Sequence, residues 1–208
     1  MTVWYNITYF VENLKMAGRP KIFKEEDVLD QAIDLFWRNG YEATSTEDLL
    51  GRMKLNKGSL YHSFGSKRQL FARTMDFFAD NALQALNRKI INAGTPIKGI
   101  HAFFLELADS DNDTHLKGCF MGNSLAELAN IDPELKQKAI GHLKAMEKLF
   151  LKYIRKAQQS GELTTKEAPE ILARYLLNLW NGINISRRIY PRKDLLEPII
   201  RLQLAVLK

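Results

Sequence analysis

The chain has 208 residues, a length that suits one large domain or a small domain followed by a larger one. Hydrophobic residues make up 46% of it, so a packed core can form, and 30 basic against 24 acidic residues give a net charge of +6. No apolar run approaches the roughly 20 residues that span a bilayer. The single cysteine, Cys119, excludes an intramolecular disulfide and indicates a reducing, cytoplasmic compartment.

The first 15 residues are aromatic, but the first lysine is Lys15 and no small-residue cleavage site follows, so they do not resemble a signal peptide. A second methionine, Met16, stands directly before Ala-Gly-Arg-Pro-Lys. We therefore predict that Met16 is the native start and that residues 1–15 are an N-terminal extension.

Helical periodicity dominates the sequence and no alternating strand pattern appears, so we predict an all-α fold. Apolar residues at helical spacing predict a first helix over 25–39, which Gly40 ends. Ser45 is a good N-cap for the next helix, and Asp48 at its third position completes an approximate capping box. We expect this helix to be short and to end near Met53.

A tight turn over 54–56 separates that helix from a second short helix, for which Asn56 is an acceptable N-cap. The second short helix is predicted over 57–63. Ser66 then caps a long helix that begins at Lys67 and reaches about Ile91.

The rest of the chain contains longer predicted helices. They cover 97–108, 117–130, 133–159, 167–189 and 193–206, with a polar loop over 109–115. Pro96 fits the first turn of one of them and Pro133 opens another. The pattern is therefore three short helices followed by a larger helical bundle.

Two short helices that are joined by a turn of about three residues and packed on a preceding helix form a helix-turn-helix. Leu60 and Phe64 share one face of the second helix and can anchor it to the core. Its other residues are cationic or hydrogen-bonding: Lys57, Ser59, Tyr61, His62 and Ser63. Such a surface suits phosphates and base edges, and Gly58 permits close backbone approach near the helix N-terminus.

Two segments of the sequence resemble a known family. The run from Tyr41 to Leu49, and then Lys57-Gly-Ser-Leu-Tyr-His-Ser-Phe-Gly-Ser-Lys-Arg-Gln-Leu-Phe71, resemble the TetR/AcrR family of bacterial repressors. The resemblance covers about Gly18 to Phe71. The segment Gly118-Cys-Phe-Met-Gly-Asn-Ser-Leu-Ala-Glu-Leu-Ala129 resembles part of the regulatory domain in one branch of that family.

The resemblance implies a role for each matching position. Tyr61 and Lys67 stand where the family contacts the DNA backbone, and Ser45 at the start of the supporting helix makes another such contact. The residues expected to face the major groove are Lys57, Ser59 and His62. The sequence departs from the family at Lys54, where glycine is usual. We interpret this lysine as a tolerated surface substitution, with a phosphate contact as the alternative.

Ahead of the first helix, Gly18-Arg19-Pro20-Lys21 forms a short basic arm. Arg19 suits a narrow minor groove, although a flexible tail explains the same residues. With this arm, we predict a DNA-binding domain over 16–66, followed by a ligand-binding and dimerisation bundle over 67–208.

Bulky apolar residues at helical spacing in the bundle are usually core. The resemblance implies in addition that the bundle encloses a small-molecule inducer. The residues predicted to line such a cavity are Phe104, Phe120, Asn123, Met146 and Trp180.

Cys119 lies at the start of a predicted helix, with His115 and Lys117 close in sequence. A helix N-terminus and nearby cations can lower a thiol pKa, which would suit an electrophile or oxidant sensor. The other interpretation is a buried packing cysteine. The histidines lack metal-ligand spacing and no catalytic motif appears, so we predict no metal, no cofactor and no enzymatic activity.

The last two predicted helices carry apolar residues for both a core and an interface between two copies. These residues are Ile171, Tyr175, Leu176, Leu179 and Ile183 in one helix, and Leu195, Ile199, Leu202 and Val206 in the other. By resemblance, a homodimer would present two recognition helices about 34 Å apart to a pseudo-palindromic operator.

The sequence thus predicts a ligand-responsive repressor that acts on double-stranded DNA at the nucleoid and is released by a small-molecule inducer. The long helix from Lys67 would be the lever between the two domains. Two alternatives stay open: thiol-based sensing through Cys119, and a non-catalytic helical module that binds other proteins.

Overall fold

The computed structural model describes residues 24–208, and within them it contains ten α-helices and no β-strand. The helices are α1 Glu25–Asn39, α2 Thr46–Met53, α3 Lys57–Phe64, α4 Lys67–Asn92, α5 Pro96–Leu105, α6 Asn112–Lys117, α7 Phe120–Leu128, α8 Pro133–Gln159, α9 Pro169–Ile189 and α10 Lys193–Leu204. The predicted all-α fold is confirmed. We call α1–α3 the reading head and α5–α10 the C-terminal bundle; α4 joins them.

The predicted caps position the short helices of the reading head. The Asp48 backbone N–H donates to Ser45 Oγ at 3.0 Å, and the Ser45 N–H donates to Asp48 Oδ2 at 2.9 Å, so the capping box is complete. Asn56 Oδ1 accepts the N–H of Ser59 at 2.8 Å at the start of α3. Ser66 caps α4 in the same way. These local bonds fix where each helix begins.

Lys54 ends α2 in the left-handed conformation, with φ of 53°. It is the only non-glycine residue with positive φ among residues 24–208. The backbone N–H of Leu55 donates to Leu50 O at 3.2 Å, which closes the turn. The turn therefore needs a conformation that costs a lysine roughly 1–2 kcal/mol.

Two apolar clusters hold residues 24–208 together. The first contains the buried side chains of the reading head, the first half of α4, α7 and the start of α8. The second joins the end of α4 to α5, the later part of α8, α9 and α10. Trp180 packs against both clusters. Since the first cluster continues into α7 and α8, the reading head and the C-terminal bundle share part of their core, and the predicted domain boundary at 66/67 stays a prediction.

The chain between α5 and α7 differs from the prediction. The helix expected over 97–108 ends at Leu105 and continues as a 3-10 turn, Glu106–Asp109. The expected polar loop contains α6, which Asp111 caps by accepting the Thr114 N–H at 2.7 Å. The helix expected from 117 begins only at Phe120, because Gly118 has a φ of 66° and interrupts it.

Two predictions fall on residues that the structure does not describe: the N-terminal extension over 1–15 and the basic arm with Arg19. Within residues 24–208, no helix is both long enough and apolar enough to cross a membrane.

Candidate DNA-binding site and regulatory cavity

Helix α3 presents a polar surface and buries an apolar one. Leu60 and Phe64 are buried in the first cluster, as predicted. Tyr61 is 44% exposed even though it is a large aromatic residue. Lys57 and His62 are exposed as well, and Ser59 is half-buried. The helix therefore offers donors, a cation and an aromatic ring to an external partner.

Gly58 lies in the first turn of α3, and its surroundings are open. A Cβ added there would meet only Asn56 Oδ1, at 3.4 Å. The protein's own packing therefore does not require glycine at this position. An external backbone that approaches the N-terminus of α3 would benefit from the missing side chain.

Ser45 is exposed at the N-terminus of α2. Its hydroxyl donates to Asp48 Oδ2 at 2.6 Å. The hydrogen bonds from the Ser45 hydroxyl and backbone N–H lower the pKa of Asp48, so this carboxylate stays ionised and the cap stays intact.

Lys67 lies at the N-terminus of α4 and turns towards the connection between α1 and α2. Its Nζ is 4.5 Å from the centroid of the Tyr41 ring and 3.4 Å from the carbonyl oxygen of Glu42. These contacts hold the ammonium group beside the reading head.

A small apolar cavity of about 80 Å³ lies between α4 and four helices of the C-terminal bundle, α5, α7, α8 and α9. It is lined by Phe78, Ala79, Ala82, Leu83, Leu86, Phe103, Cys119, Met121, His142, Leu143, Met146 and Trp180. The rings of Phe103 and Trp180 stack with centroids 5.2 Å apart. His142 supplies a polar group at the wall, and its Nε2 lies 3.1 Å from Asp76 Oδ1.

The five residues predicted to line one cavity lie in three places. Met146 and Trp180 line the apolar cavity. Phe120 and Asn123 line a wider cleft of about 570 Å³ between the reading head and the C-terminal bundle. Phe104 lines neither space, since it is fully buried and stacks on Phe150 with ring centroids 5.8 Å apart.

Cys119 is only 8% exposed. Its Sγ accepts hydrogen bonds from Trp180 Nε1 at 3.2 Å and from the Gly122 N–H at 3.3 Å. Burial raises the pKa of the thiol and outweighs these two bonds. The expectation that a helix N-terminus and nearby cations would lower this pKa is therefore wrong. The structure fits a buried packing cysteine that borders the cavity.

The apolar residues of the last two helices separate into core and surface. In α9, Leu176, Leu179 and Ile183 are buried, and only Ile171 of the predicted set is exposed. Ile185 and Ile189 extend that exposed face. The four apolar residues expected in the last helix are all exposed: Leu195, Ile199 and Leu202 lie in α10, and Val206 lies just beyond its end. We call the exposed apolar residues of this region the α9–α10 face: Ile171, Ile185, Ile189, Leu195, Ile199, Leu202 and Val206.

Glu127 connects the C-terminal bundle to the reading head, and Arg188 connects α9 to α6 within the bundle. Glu127 accepts the backbone N–H groups of Tyr41 and Glu42, each at 2.9 Å. Arg188 donates to the carbonyl oxygens of Leu116 and Lys117, at 3.0 and 2.7 Å. The only signal for Glu127 was its place in the segment from Gly118 to Ala129.

A helix-turn-helix on an all-helical bundle, with an exposed donor-rich second helix, defines a DNA-binding transcriptional regulator. Comparisons with known families agree. Residues 28–74 match the model described as bacterial regulatory proteins of the tetR family, and residues 96–202 match the one described as tetracyclin repressor-like, C-terminal domain. The chain belongs to the TetR family of bacterial transcriptional regulators.

Individual relatives cover nearly the whole chain. It is 30% identical over 192 residues to the uncharacterized HTH-type transcriptional regulator YezE of Bacillus subtilis. This match covers 91% of this chain and 99% of YezE. The transcriptional repressor ComR of Escherichia coli is 28% identical over 177 residues, 84% of each chain. A cysteine mutant of the regulator CifR, solved with a 26-base-pair operator, superposes with a TM-score of 0.78 at 22% identity, over 92% and 100% of the two chains.

Proposed function

We propose that this protein is a repressor that binds a pseudo-palindromic operator as a homodimer and is released by a small-molecule inducer. The observation that carries the proposal is the surface of α3, where buried Leu60 and Phe64 leave Lys57, Tyr61 and His62 directed to solvent. The name of the relative ComR, a transcriptional repressor, supports repression as the direction of control.

The exposed groups divide into two roles. Lys57, Ser59 and His62 lie on α3 and would read base edges in the major groove. Tyr61, Ser45 at the start of α2 and Lys67 at the start of α4 would hold phosphates and fix the register. Two of these residues lie at helix starts and Tyr61 lies in the middle of α3, and three such positions suit a DNA strand that crosses the reading head.

The α9–α10 face supports the homodimer. Its apolar side chains are exposed along α9 and α10, which pack against each other, and Leu202 has the largest exposed fraction, 77%. A second copy of the same face would remove these side chains from water. Two reading heads held in this way would meet two half-sites about one helical turn apart.

The apolar cavity supports a small inducer with little charge. Its wall is almost wholly hydrocarbon and sulfur, with His142 as a polar group that can fix an orientation. A ligand larger than the present volume of about 80 Å³ would have to displace the surrounding helices. Such a displacement would reach the reading head through α4 and lower the population that fits the operator.

The test is operator binding to fragments of the gene's own upstream region, measured by fluorescence anisotropy at several salt concentrations. We expect wild type to prefer one fragment by at least about 1,000-fold over random duplex. Lys57→Ala and Tyr61→Ala should each lower that affinity by about tenfold or more. Lys152→Ala, which removes an exposed lysine from α8, is the matched control and should bind like wild type.

Two results would contradict the proposal. One is binding of all sequences with equal affinity, because that would leave only phosphate attraction. The other is equal loss of affinity in Lys57→Ala and Lys152→Ala, because then α3 would have no special role. Circular dichroism of each variant confirms that the helices remain folded.

A further inference from the structure

The carboxylate of Glu127 forms a two-point contact between α7 and the reading head. Its Oε2 accepts the Tyr41 N–H and its Oε1 accepts the Glu42 N–H, both at 2.9 Å. A carboxylate that accepts two adjacent backbone donors fixes both the position and the angle of the peptide it holds. This peptide belongs to the connection between α1 and α2.

The backbone on the other side of this contact is shaped to fit it. Gly40 has a φ of 86°, and a Cβ at this position would lie 2.9 Å from both carboxylate oxygens of Glu127. Gly40 therefore does more than end α1, since it also leaves the space that the carboxylate occupies.

The opposite end of α7 belongs to the apolar cavity, where Cys119 and Met121 form part of the wall. Glu127 lies six positions after Met121, a distance of about 9 Å along the helix axis. Helix α7 is one uninterrupted α-helix of nine residues, and helices shift as units when they slide past their neighbours. A shift of the cavity wall at one end therefore moves the carboxylate at the other end.

A second set of hydrogen bonds joins α1, α7 and α9 at a single carbonyl oxygen. The carbonyl oxygen of Lys117, the last residue of α6, accepts three donors from three helices. They are Trp37 Nε1 of α1 at 3.1 Å, Asn123 Nδ2 of α7 at 2.8 Å and an Arg188 guanidinium nitrogen of α9 at 2.7 Å. Asn123 Oδ1 also accepts from Arg188 at 2.9 Å. Helix α7 is thus fixed to α9 before it reaches the reading head.

A different bridge crosses the same interface but is exposed. Arg38 of α1 pairs with Asp113 of α6, and both side chains are about half exposed. Exposed ion pairs contribute little because water and salt screen them. The Glu127 contact is only partly exposed on the Tyr41 side and bonds to backbone, so it holds an orientation that the ion pair does not.

We propose that Glu127 is a positioning residue that couples the cavity wall to the orientation of the reading head. The segment from Gly118 to Ala129 then links the cavity to the reading head. Cys119 lines the cavity, Asn123 binds the helix to α9, and Glu127 binds the connection between α1 and α2. This inference rests on the ligand response proposed above, because coupling has a function only if the cavity responds to an inducer.

Glu127→Gln tests the contact with the smallest change in shape. The amide keeps one acceptor oxygen and places an NH₂ group against a backbone N–H, so one of the two hydrogen bonds is lost. Asp113→Asn is the matched control. It removes the same charge from the same interface, so both variants change the electrostatic attraction to DNA alike.

The first measurement is amide hydrogen exchange of Tyr41 and Glu42 by NMR in the free, full-length protein. We expect both amides to exchange about tenfold faster in Glu127→Gln and at the wild-type rate in Asp113→Asn. If these two amides of the wild type exchange as fast as exposed loop amides, the contact does not exist in solution and the inference is overturned, whatever the variants do.

The second measurement follows the orientation of the reading head. Spin labels at Glu47→Cys in α2 and Lys152→Cys in α8, in a Cys119→Ser background, report the distance between head and bundle; both sites are exposed. Labelled chain is diluted with unlabelled chain so that each distance lies within one chain. We expect a broader distribution in Glu127→Gln than in Asp113→Asn. Equal distributions would overturn the inference.

Operator affinity completes the test. We expect Glu127→Gln to bind the operator about tenfold more weakly than Asp113→Asn, because its reading heads sample more orientations. Equal affinities would show that the contact does not position the head for DNA. If even the wild type binds no operator, the proposed function fails, whereas the exchange and distance measurements still decide whether Glu127 positions the head.

Discussion

Lys54 occupies a left-handed position where the family usually has glycine, and its variants separate two explanations for the lysine. Lys54→Gly removes a conformational cost of roughly 1–2 kcal/mol but adds freedom to the unfolded chain, which offsets about 0.4–1 kcal/mol. We therefore expect the free energy of unfolding to rise by about 0.5 kcal/mol in urea titrations. If the lysine is only a tolerated surface residue, the salt dependence of operator binding stays unchanged.

Lys54→Asn is the control for the charge, since asparagine tolerates the left-handed conformation but carries no cation. A phosphate contact would reduce the slope of log affinity against log salt by about one in both variants. A fall in unfolding free energy in Lys54→Gly would contradict the strain argument.

Asp132 links α8 to the start of α4 through an ion pair that makes stability depend on pH. Arg68 contacts both of its carboxylate oxygens, at 2.6 and 3.0 Å, and lowers the pKa of Asp132 to about 2. Because the folded pKa lies below the unfolded one, this stabilisation is complete above about pH 4. It is lost as the pH falls through 2.

Asp132→Asn keeps the oxygen that accepts the N–H groups at the start of α8 but removes the charge. We expect it to lower the free energy of unfolding by about 1 kcal/mol at pH 7, a small value because the half-exposed Arg68 leaves the pair open to water. Urea titrations at pH 7, 4, 3 and 2 should show the difference between the two proteins shrinking with pH. A difference that persists unchanged at pH 2 would assign the effect to packing.

At the scale of helices, the sequence predicted the features that are determined by residues adjacent in the chain. The cap of α2 by Ser45 and Asp48 and the anchoring of α3 by Leu60 were predictable because a few adjacent residues determine them. Helix α6 was missed, since its polar residues have no apolar periodicity and its C-terminal carbonyl is fixed by Trp37, 80 residues away in the chain.

The residues that line the cavity could not be predicted from local sequence patterns either. Phe104 and Trp180 look alike in sequence, because both are aromatic residues on apolar helix faces. Only the packing of five helices places Trp180 at the cavity and Phe104 in the core. The Glu127 contact spans more than 80 residues and was likewise beyond local patterns.

The α9–α10 face is the element that should form the dimer. Leu202→Glu places a charge on the most exposed residue of this face, where burial against a second copy without a partner for the charge would be costly. We expect the dimer dissociation constant to rise by at least about 100-fold, measured by sedimentation equilibrium. Operator affinity should fall with it, because a monomer reaches only one half-site.

Ile91→Glu is the matched control for this charge. Ile91 is 60% exposed at the end of α4, outside the α9–α10 face, and it receives the same substitution. We expect Ile91→Glu to remain a dimer and to bind the operator normally. Monomers in both variants would show that an added charge alone, and not the face, disrupts association.

The whole molecule sets the distance between the two reading heads, and this distance predicts the layout of the operator. If the α9–α10 face joins two chains rigidly, the recognition helices fit half-sites about one helical turn apart, roughly 34 Å. Inserting five base pairs between the half-sites moves one of them by about 17 Å and rotates it to the opposite side of the duplex. We expect the affinity to fall to that of an isolated half-site.

The measurement is fluorescence anisotropy at one fixed salt concentration, with the intact operator, the duplex with the insertion and a duplex that carries a single half-site. Replacing the central bases without changing their number is the control, and it should alter the affinity by less than about threefold unless the protein deforms that segment. Equal affinity for the intact operator and the duplex with the insertion would mean that the two heads move independently. A rigid dimer could not then be the basis of recognition, and release by an inducer could not act through head spacing.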